Sequence, residues 1–137
     1  MRYLLDTNAC IALLNGRPAS LVDRVRRHAS SEFGLPAPVS YELYYSAFKS
    51  RYTNRNLGLL DHIAFEVVPF DAADAREAGA VRANLEAIGR PIGPLDTLIA
   101  GQALARGLIL VTANTQEFVR VEGLHCEDWS IPGEGHK

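Results

Sequence analysis

Five short apolar runs recur along the chain, YLLD, FGLPAP, FEVVPF, GLILVT and LHCEDW, and longer segments with apolar residues at helical spacing fill most of the gaps between them. The runs read as strands and the longer segments as helices. Their alternation predicts an α/β fold with a mainly parallel sheet. The clearest helix is DAADAREAGAVRANLEAIG, with Asp71 as N-cap, Asp74 three residues on, and Gly89 as its stop. Another runs from about Leu95 to Arg106 and stops at Gly107, its start set by the turn that Pro91 and Pro94 bracket. A third follows LPAPVS, with Ser40 as N-cap and Glu42 in its first turn. No internal repeat or low-complexity segment occurs, and only the PGEGHK tail reads as frayed.

The 137 residues suit a single domain with a real core. A net charge of −2 neither attracts nor repels a polyanion strongly, so contact with nucleic acid has to come from local patches. Cys10 and Cys126 stand singly, in neither a C-x-x-C pair nor a zinc spacing, which points to a reducing compartment and a cytoplasmic protein. Asp6 and Asn8 interrupt the first apolar stretch before it reaches the length of a signal sequence. No run is long enough to span a membrane, since even LDTLIAGQALARGLILV contains Gln102 and Arg106. His28, His62, His125 and His136 are scattered, form no zinc-type pair, and read as surface or structural residues.

The candidate chemistry lies in the acids. Asp6 ends the first strand, Glu42 and Asp96 fall in the first turns of two helices, and Glu117 lies on the short turn NTQEF after LILVT. In an open α/β sheet the loops at the carboxyl ends of the strands gather on one side, where ligands bind at the topological switch point. Any one of these acids is as readily a helix-end charge favoured by the macrodipole. Neighbours help to separate the readings, because a structural charge usually has a cation three or four residues away. Glu86 has Arg82 and Arg90 and reads as a surface ion-pair residue. Glu42 has Pro38, Val39, Tyr45 and Ser46 at those positions, and Asp96 has Ile92, Gly93, Ile99 and Ala100, so neither has a partner in its helix. Asp96 also sits in a helix that is apolar on nearly every side, which predicts burial and makes an unpaired charge expensive. Glu117, with Arg120 three residues on, stays even between the two readings.

Two carboxylates about 4 Å apart repel by ~4 kcal/mol at an effective dielectric of ~20, so a meeting of Asp6, Glu42 and Asp96 requires protonation, separation or a cation. Oxygen-only ligands suit Mg2+ or Mn2+. Such an ion lowers the pKa of a bound water and neutralises charge on a phosphate. Thr7, Asn8, Thr112 and Asn114 then serve as polar groups that orient acids and waters. Neither G-x-G-x-x-G nor G-x-x-x-x-G-K-[ST] nor G-x-S-x-G occurs, which sets aside nucleotide-cofactor and serine-hydrolase classes. An aspartyl-phosphate acceptor wants a second acid beside Asp6 and a lysine near a late strand. Here the second position is Asn8, and the only lysines are Lys49 and Lys137.

The segments LLDTN, VSYELYYSAFKS and IGPLDTLIAGQALARGLILVTANTQEFVRVEGLHCEDW resemble the PIN-domain toxins of VapBC toxin-antitoxin modules, and the likeness covers essentially the whole chain. The resemblance implies a PIN-like α/β/α sandwich and a Mg2+- or Mn2+-dependent endoribonuclease. It also implies neutralisation by a cognate VapB-type antitoxin, a toxin homodimer, and contact with DNA only through the antitoxin. The family's first three acids map to Asp6, Glu42 and Asp96. Relatives with an NT-x-EF segment place the fourth at Glu117, whereas many PIN domains carry Asp where this chain has Asn114. The implied mechanism is in-line attack of a metal-activated water on a phosphodiester, with Asp6 and Asp96 as metal ligands, Glu42 holding the ion or its waters, and Glu117 at the rim. Relatives alike in the final block are associated with cleavage of initiator tRNA in the anticodon stem-loop, which makes tRNA the candidate RNA.

Basic residues concentrate in DRVRRH (Arg24, Arg26, Arg27, His28) and in KSRYTNRN (Lys49, Arg51, Arg55). A solvated helix face is the commoner meaning of such runs. The second cluster continues the helix of Glu42, with Glu42, Ser46 and Lys49 on one face, so Lys49, Arg51 and Arg55 are the RNA-contact candidates. Tyr41, Tyr44, Tyr45, Phe48 and Tyr52 form an aromatic stripe expected to be part core and part protein interface. A catalytically silent PIN-like module that binds RNA or protein is the alternative. It predicts loss of at least one of the three principal acids, and all three are present.

Overall fold

The computed structural model describes residues 1–132; of the PGEGHK tail only Pro132 is included, and the rest, with His136, lies outside the described residues. Each apolar run forms one strand: β1 (Tyr3–Leu5), β2 (Phe33–Pro36), β3 (Glu66–Val68), β4 (Ile109–Val111) and β5 (Cys126–Glu127). All neighbours pair in parallel, in the order β3-β2-β1-β4-β5. Helices α1 (Thr7–Asn15), α2 (Ala19–Arg26), α3 (Ala37–Lys49), α4 (Thr53–Asp61), α5 (Ala72–Ala87), α6 (Pro94–Arg106) and α7 (Thr115–Phe118) flank the sheet. Strand order runs outward from β1 in both directions, so the switch point lies between β1 and β4.

The inner strands are apolar because both their faces are covered. All residues of β1 and β2 are buried, as in other parallel sheets packed between helices. Leu4, Leu5, Phe33, Ile99, Leu110, Phe118 and Trp129 fill the core, each stabilising the fold by about 1.5–3 kcal/mol relative to an exposed side chain.

Helix ends follow their local chemistry, with one correction. Asp71 caps α5 in a reciprocal box: its Oδ1 accepts from the Asp74 N–H at 3.1 Å, and its own N–H donates to Asp74 Oδ2 at 2.9 Å. Pro94 opens α6, and Gly107 closes it in the left-handed region at φ 63°. Ser40, however, is not the cap of α3. That helix starts at Ala37, with Pro36 at its N-cap, which puts Ser40 inside it and Glu42 in its second turn. Pro38 accounts for the early start: its fixed φ and missing N–H suit the first turn, so the helix begins where β2 ends.

Asp74 is completely buried. It accepts from Arg106 through Nε at 3.2 Å and a terminal nitrogen at 3.0 Å, and from Gln102 Nε2 at 3.3 Å. Burial pushes its carboxyl up, but Arg106 and the Asp71 N–H outweigh burial and hold it below the ordinary range. The same Gln102 donates to the Val68 and Pro69 carbonyls, tying α5 and α6 to the end of β3.

The two helices approach closely at Gly101, where an added Cβ would stand 2.5 Å from the backbone N and Cα of Ala78. Gly101→Ala gains about 1 kcal/mol of helix propensity but incurs an overpacking cost of up to about 3 kcal/mol. It is therefore expected to lower the unfolding free energy in urea by about 2 kcal/mol. Gly79→Ala, whose new Cβ meets nothing within 4 Å, is expected to raise it by up to about 1 kcal/mol.

Candidate active site

Leu5 pairs with Val111 across β1 and β4, so Asp6 and Thr112 leave the sheet side by side at the switch point. Asp6 is a helix cap as well as a site residue. Its Oδ1 accepts from the Ala9 N–H at 2.8 Å, capping α1, and its Oδ2 accepts from the Thr112 hydroxyl at 2.6 Å. The residue is 4% exposed. Burial pushes its pKa up, the Thr112 and Ala9 hydrogen bonds pull it down, and the charges of Glu42 and Asp128 push it up again, leaving it above the ordinary value. The groups that act on it most strongly are neutral donors and other acids.

The other acids are held in a similar way. Glu42 accepts from the Thr7 hydroxyl. Glu117 accepts from the Asn114 side-chain amide at 2.6 Å, and the Asn114 N–H bonds to the Thr112 hydroxyl at 2.9 Å. Thr7, Thr112 and Asn114 thus each hold one carboxylate by a neutral donor, while Asn8 stays exposed on α1. Asn114 and Glu117 are therefore an orienting pair. Arg120, the nearby cation, donates instead to the Pro91 carbonyl at 3.1 Å.

Asp96 reaches the site from the first turn of α6, a helix that follows α5 and not a strand end. The Thr97 hydroxyl bonds back to the Gly93 carbonyl at 2.9 Å and fixes that first turn. A Cβ at Gly93 would stand 3.4 Å from Asp96 Oδ2, so glycine keeps that side of the carboxyl open. Asp96 is half-buried. Burial, the charges of Glu117 and Asp6, a hydrogen bond with Glu117, and the charge of Glu42 together push its pKa up to about 6. Among the described residues, no three His, Cys, Asp or Glu side chains meet closely enough to form a ready-made ion cage. The four acids interact through space around one opening of the sheet.

One site residue escapes sequence reasoning. Asp128 follows β5, and its charge acts on Asp6. The rule that selects Asp6, an acid at the carboxyl end of a strand, also selects Asp128, near the end of the strand-like run LHCEDW. The basic clusters divide. Lys49, Arg51 and Arg55 are exposed, with Lys49 Nζ 5.6 Å from the Tyr45 ring. Arg24 lies over the Trp129 ring at 4.3 Å and pairs with Glu127 at 3.1 Å, and His28 stacks on Trp129 at 5.5 Å. His62 bonds to the Gly58 carbonyl, and His125 pairs with Glu127.

The aromatic stripe departs from its expected core share. Tyr41, Tyr45, Phe48 and Tyr52 are 63%, 56%, 65% and 60% exposed. Only Tyr44 is half-buried, with its hydroxyl on Asp61 at 2.8 Å. The reason is the face that α3 turns inward, Pro38, Val39, Leu43 and Ala47, which leaves the aromatic row outside.

Because the Asp96 value is raised, the folded chain binds more protons there than the unfolded chain between pH 3.8 and about 6. The stability Asp96 contributes is thus present at low pH and lost as pH rises through that window. In metal-free solution Asp96→Asn is expected to melt above the wild type at pH 7, with the difference shrinking toward pH 4. Melting curves across this range check it, and a pH-independent difference would contradict it.

The PIN domain family profile matches residues 3–124. The chain is 42% identical over 132 residues to the tRNA(fMet)-specific endonuclease VapC of Shigella flexneri, covering 95% of this chain and 99% of that protein. It is 37% identical over 131 residues to the Salmonella typhimurium protein of the same name, covering 94% and 98%. Among solved structures, a chain of DNA-bound VapBC from Salmonella typhimurium superimposes with a TM-score of 0.89 at 37% identity, covering 94% of this chain and 98% of that one. VapBC2 from Rickettsia felis, bound to a promoter DNA fragment, superimposes with a TM-score of 0.87 at 34% identity, covering 94% and 99%. With its parallel sheet and its acids around the β1–β4 switch point, the chain belongs to the PIN-domain family, among the VapC ribonucleases.

Proposed function

We propose that this nuclease is the toxin of a toxin-antitoxin pair and cuts tRNA by divalent-metal-dependent hydrolysis. The observation that carries the reading is the Asp96 carboxyl, pushed up to about 6 by burial and by acids from three other segments. The donors are carboxylate and hydroxyl oxygens without thiolate or imidazole, a set that fits a hard dication. Asp6, Asp96 and Glu42 would hold Mg2+ or Mn2+, and Glu117 would complete the rim. When bound, the ion supplies charge neutralisation at the phosphate and a water of lowered pKa. The chain's own residues do the positioning. Thr112 fixes the Asp6 carboxylate, Thr7 fixes Glu42, and Asn114 fixes Glu117 beside Asp96.

Lys49, Arg51 and Arg55 are the proposed phosphate contacts. The tRNA assignment rests on the two relatives whose names specify tRNA(fMet). The exposed rings Tyr41, Tyr45 and Phe48 of α3, with Tyr52 just beyond it, suit burial against protein, and a VapB-type antitoxin is the proposed partner, alongside a toxin homodimer.

Cleavage of total RNA is expected with Mg2+, to stop in EDTA, and to return when Mg2+ is restored. Asp6→Asn and Asp96→Asn are each expected to slow cleavage by more than about a hundredfold, and Thr112→Val, which removes only the bond orienting Asp6, by about 10- to 100-fold. A folded variant of either acid that cuts at near the wild-type rate would exclude that acid. Lys49→Ala and Arg51→Ala are expected to weaken RNA binding alike for all sequences, each lowering the salt slope by about 0.7. Titrations at several salt concentrations measure it.

A further inference from the structure

Asp96 and Glu117 act on each other although they stand on different elements, one in the first turn of α6 and the other on α7. Their separation is set by how those two elements are held together. Away from the acids, Arg120, three residues beyond Glu117, donates from Nη1 to the carbonyl of Pro91, five residues before Asp96, at 3.1 Å. We propose that Arg120 is a positioning residue for cleavage, a strap that holds the start of α6 against α7 and so sets Asp96 at its working distance from Glu117 and Asp6. The inference rests on the nuclease reading above and adds to it a side chain that touches neither the metal site nor the RNA.

The segment that Arg120 grips is held at its two ends and little between them. On the α5 side, the Gly89 N–H bonds to the Glu86 carbonyl at 3.0 Å and the Arg90 N–H to the Leu85 carbonyl at 2.9 Å. On the α6 side, the Thr97 N–H and hydroxyl both donate to the Gly93 carbonyl at 2.9 Å. Pro91, in the middle, has no N–H and is exposed. Among the described residues, the Arg120 bond is the tether that reaches it from outside its own loop. The segment is also stiff. Pro91 and Pro94 both have a fixed φ, so a displacement at Pro91 is passed on to the start of α6 and to Asp96.

Stability alone is a poor reason for an arginine here. Arg120 is half-buried beside Val81, Leu85 and Ile88 of the α5 end, and its Nε is buried with no hydrogen-bond partner among the described residues. An orphaned guanidinium N–H costs stability, which an apolar side chain would avoid. What the arginine supplies is a long reach and a charge-assisted bond to a carbonyl. The direction of that reach matters as well. Pairing with Glu117, three residues back, would cancel a charge that the ion site needs, whereas the bond to Pro91 orders the same neighbourhood and leaves the acid its charge. Placement at this precision governs rate, since a shift of about 1 Å in a reacting group can cost about a hundredfold.

Arg120→Met, which keeps the apolar stem and removes the donors, and Arg120→Lys, which keeps one charged donor, test the strap in the full-length chain, well below the melting temperature of each. Two quantities are measured: kcat and KM for bulk tRNA in Mg2+, and the affinity for Mn2+ alone by calorimetry. Arg120→Met is expected to lower kcat and to weaken Mn2+ binding, each by about tenfold, with KM for tRNA unchanged. Arg120→Lys is expected to recover most of both losses. A variant with a lower melting temperature but wild-type kcat and Mn2+ affinity would make Arg120 merely structural and overturn the proposal. So would a raised KM at unchanged kcat, which would make it an RNA contact, or a lysine variant no better than the methionine one. A wild-type chain that binds Mn2+ but leaves tRNA intact would refute the nuclease reading, and the Mn2+ affinities would then decide the strap by themselves. A wild-type chain that binds no Mn2+ would overturn both.

Discussion

Taking a carboxylate out of water costs several kcal/mol unless a cation and hydrogen bonds compensate it, and this chain does so twice with opposite outcomes. Asp74 is completely buried and meets Arg106, Gln102 and a backbone N–H, and its titration falls below the ordinary range. Asp6 is nearly as buried but, among the described residues, accepts only from neutral donors, Thr112 and Ala9, and its titration rises. Both are well hydrogen-bonded; what differs is the cation. Neutral donors fix where a carboxylate points without cancelling its charge, so the Asp6 end of the sheet keeps a net demand for positive charge. Asp74 makes no such demand and serves to join helices.

The fold concentrates that demand by two routes. The β1–β4 pairing sets Asp6 beside Thr112, and the chain just beyond β4 adds Asn114 and Glu117, so three of the orienting contacts fall within a few residues of one strand pair. Asp96 comes from elsewhere, from the first turn of α6, the helix that follows α5. Its position therefore depends on how tightly those two helices pack, and Gly101 sets that distance by admitting the Ala78 backbone. A change at Gly101 acts on stability first and on the site through the placement of α6. The Asp74–Arg106 pair braces the same two helices at the other end of α6, so the neutralised acid supports the location of an acid left without a cation.

What could be read from the sequence was what local chemistry decides. The five strands, the Asp71–Asp74 box and the Pro94 and Gly107 limits of α6 all depend on residues within a turn of one another. Ser40 misled because a hydroxyl before an apolar run is a good cap in isolation, yet Pro36 and Pro38 had already started the helix. The aromatic stripe misled for a different reason. Periodicity says that Tyr41, Tyr45, Phe48 and Tyr52 share a face, but tertiary packing chooses whether that face or the Val39–Leu43–Ala47 face turns inward. Glu117 and Asn114 read as competing candidates because their contact is a matter of side-chain geometry. Asp128 lies in the run LHCEDW, which does read as a strand, but only the pairing of β5 with β4 shows that its charge falls on Asp6.

The proposed chemistry cannot by itself choose an RNA. A dication and its acids act on a phosphodiester that is the same in every strand, and exposed cations such as Lys49, Arg51 and Arg55 attract phosphates without regard to sequence. Selection has to come from base edges or from the shape of the folded RNA. The exposed rings of α3 are poor candidates for it, since stacking tolerates every base and a protein partner would cover them.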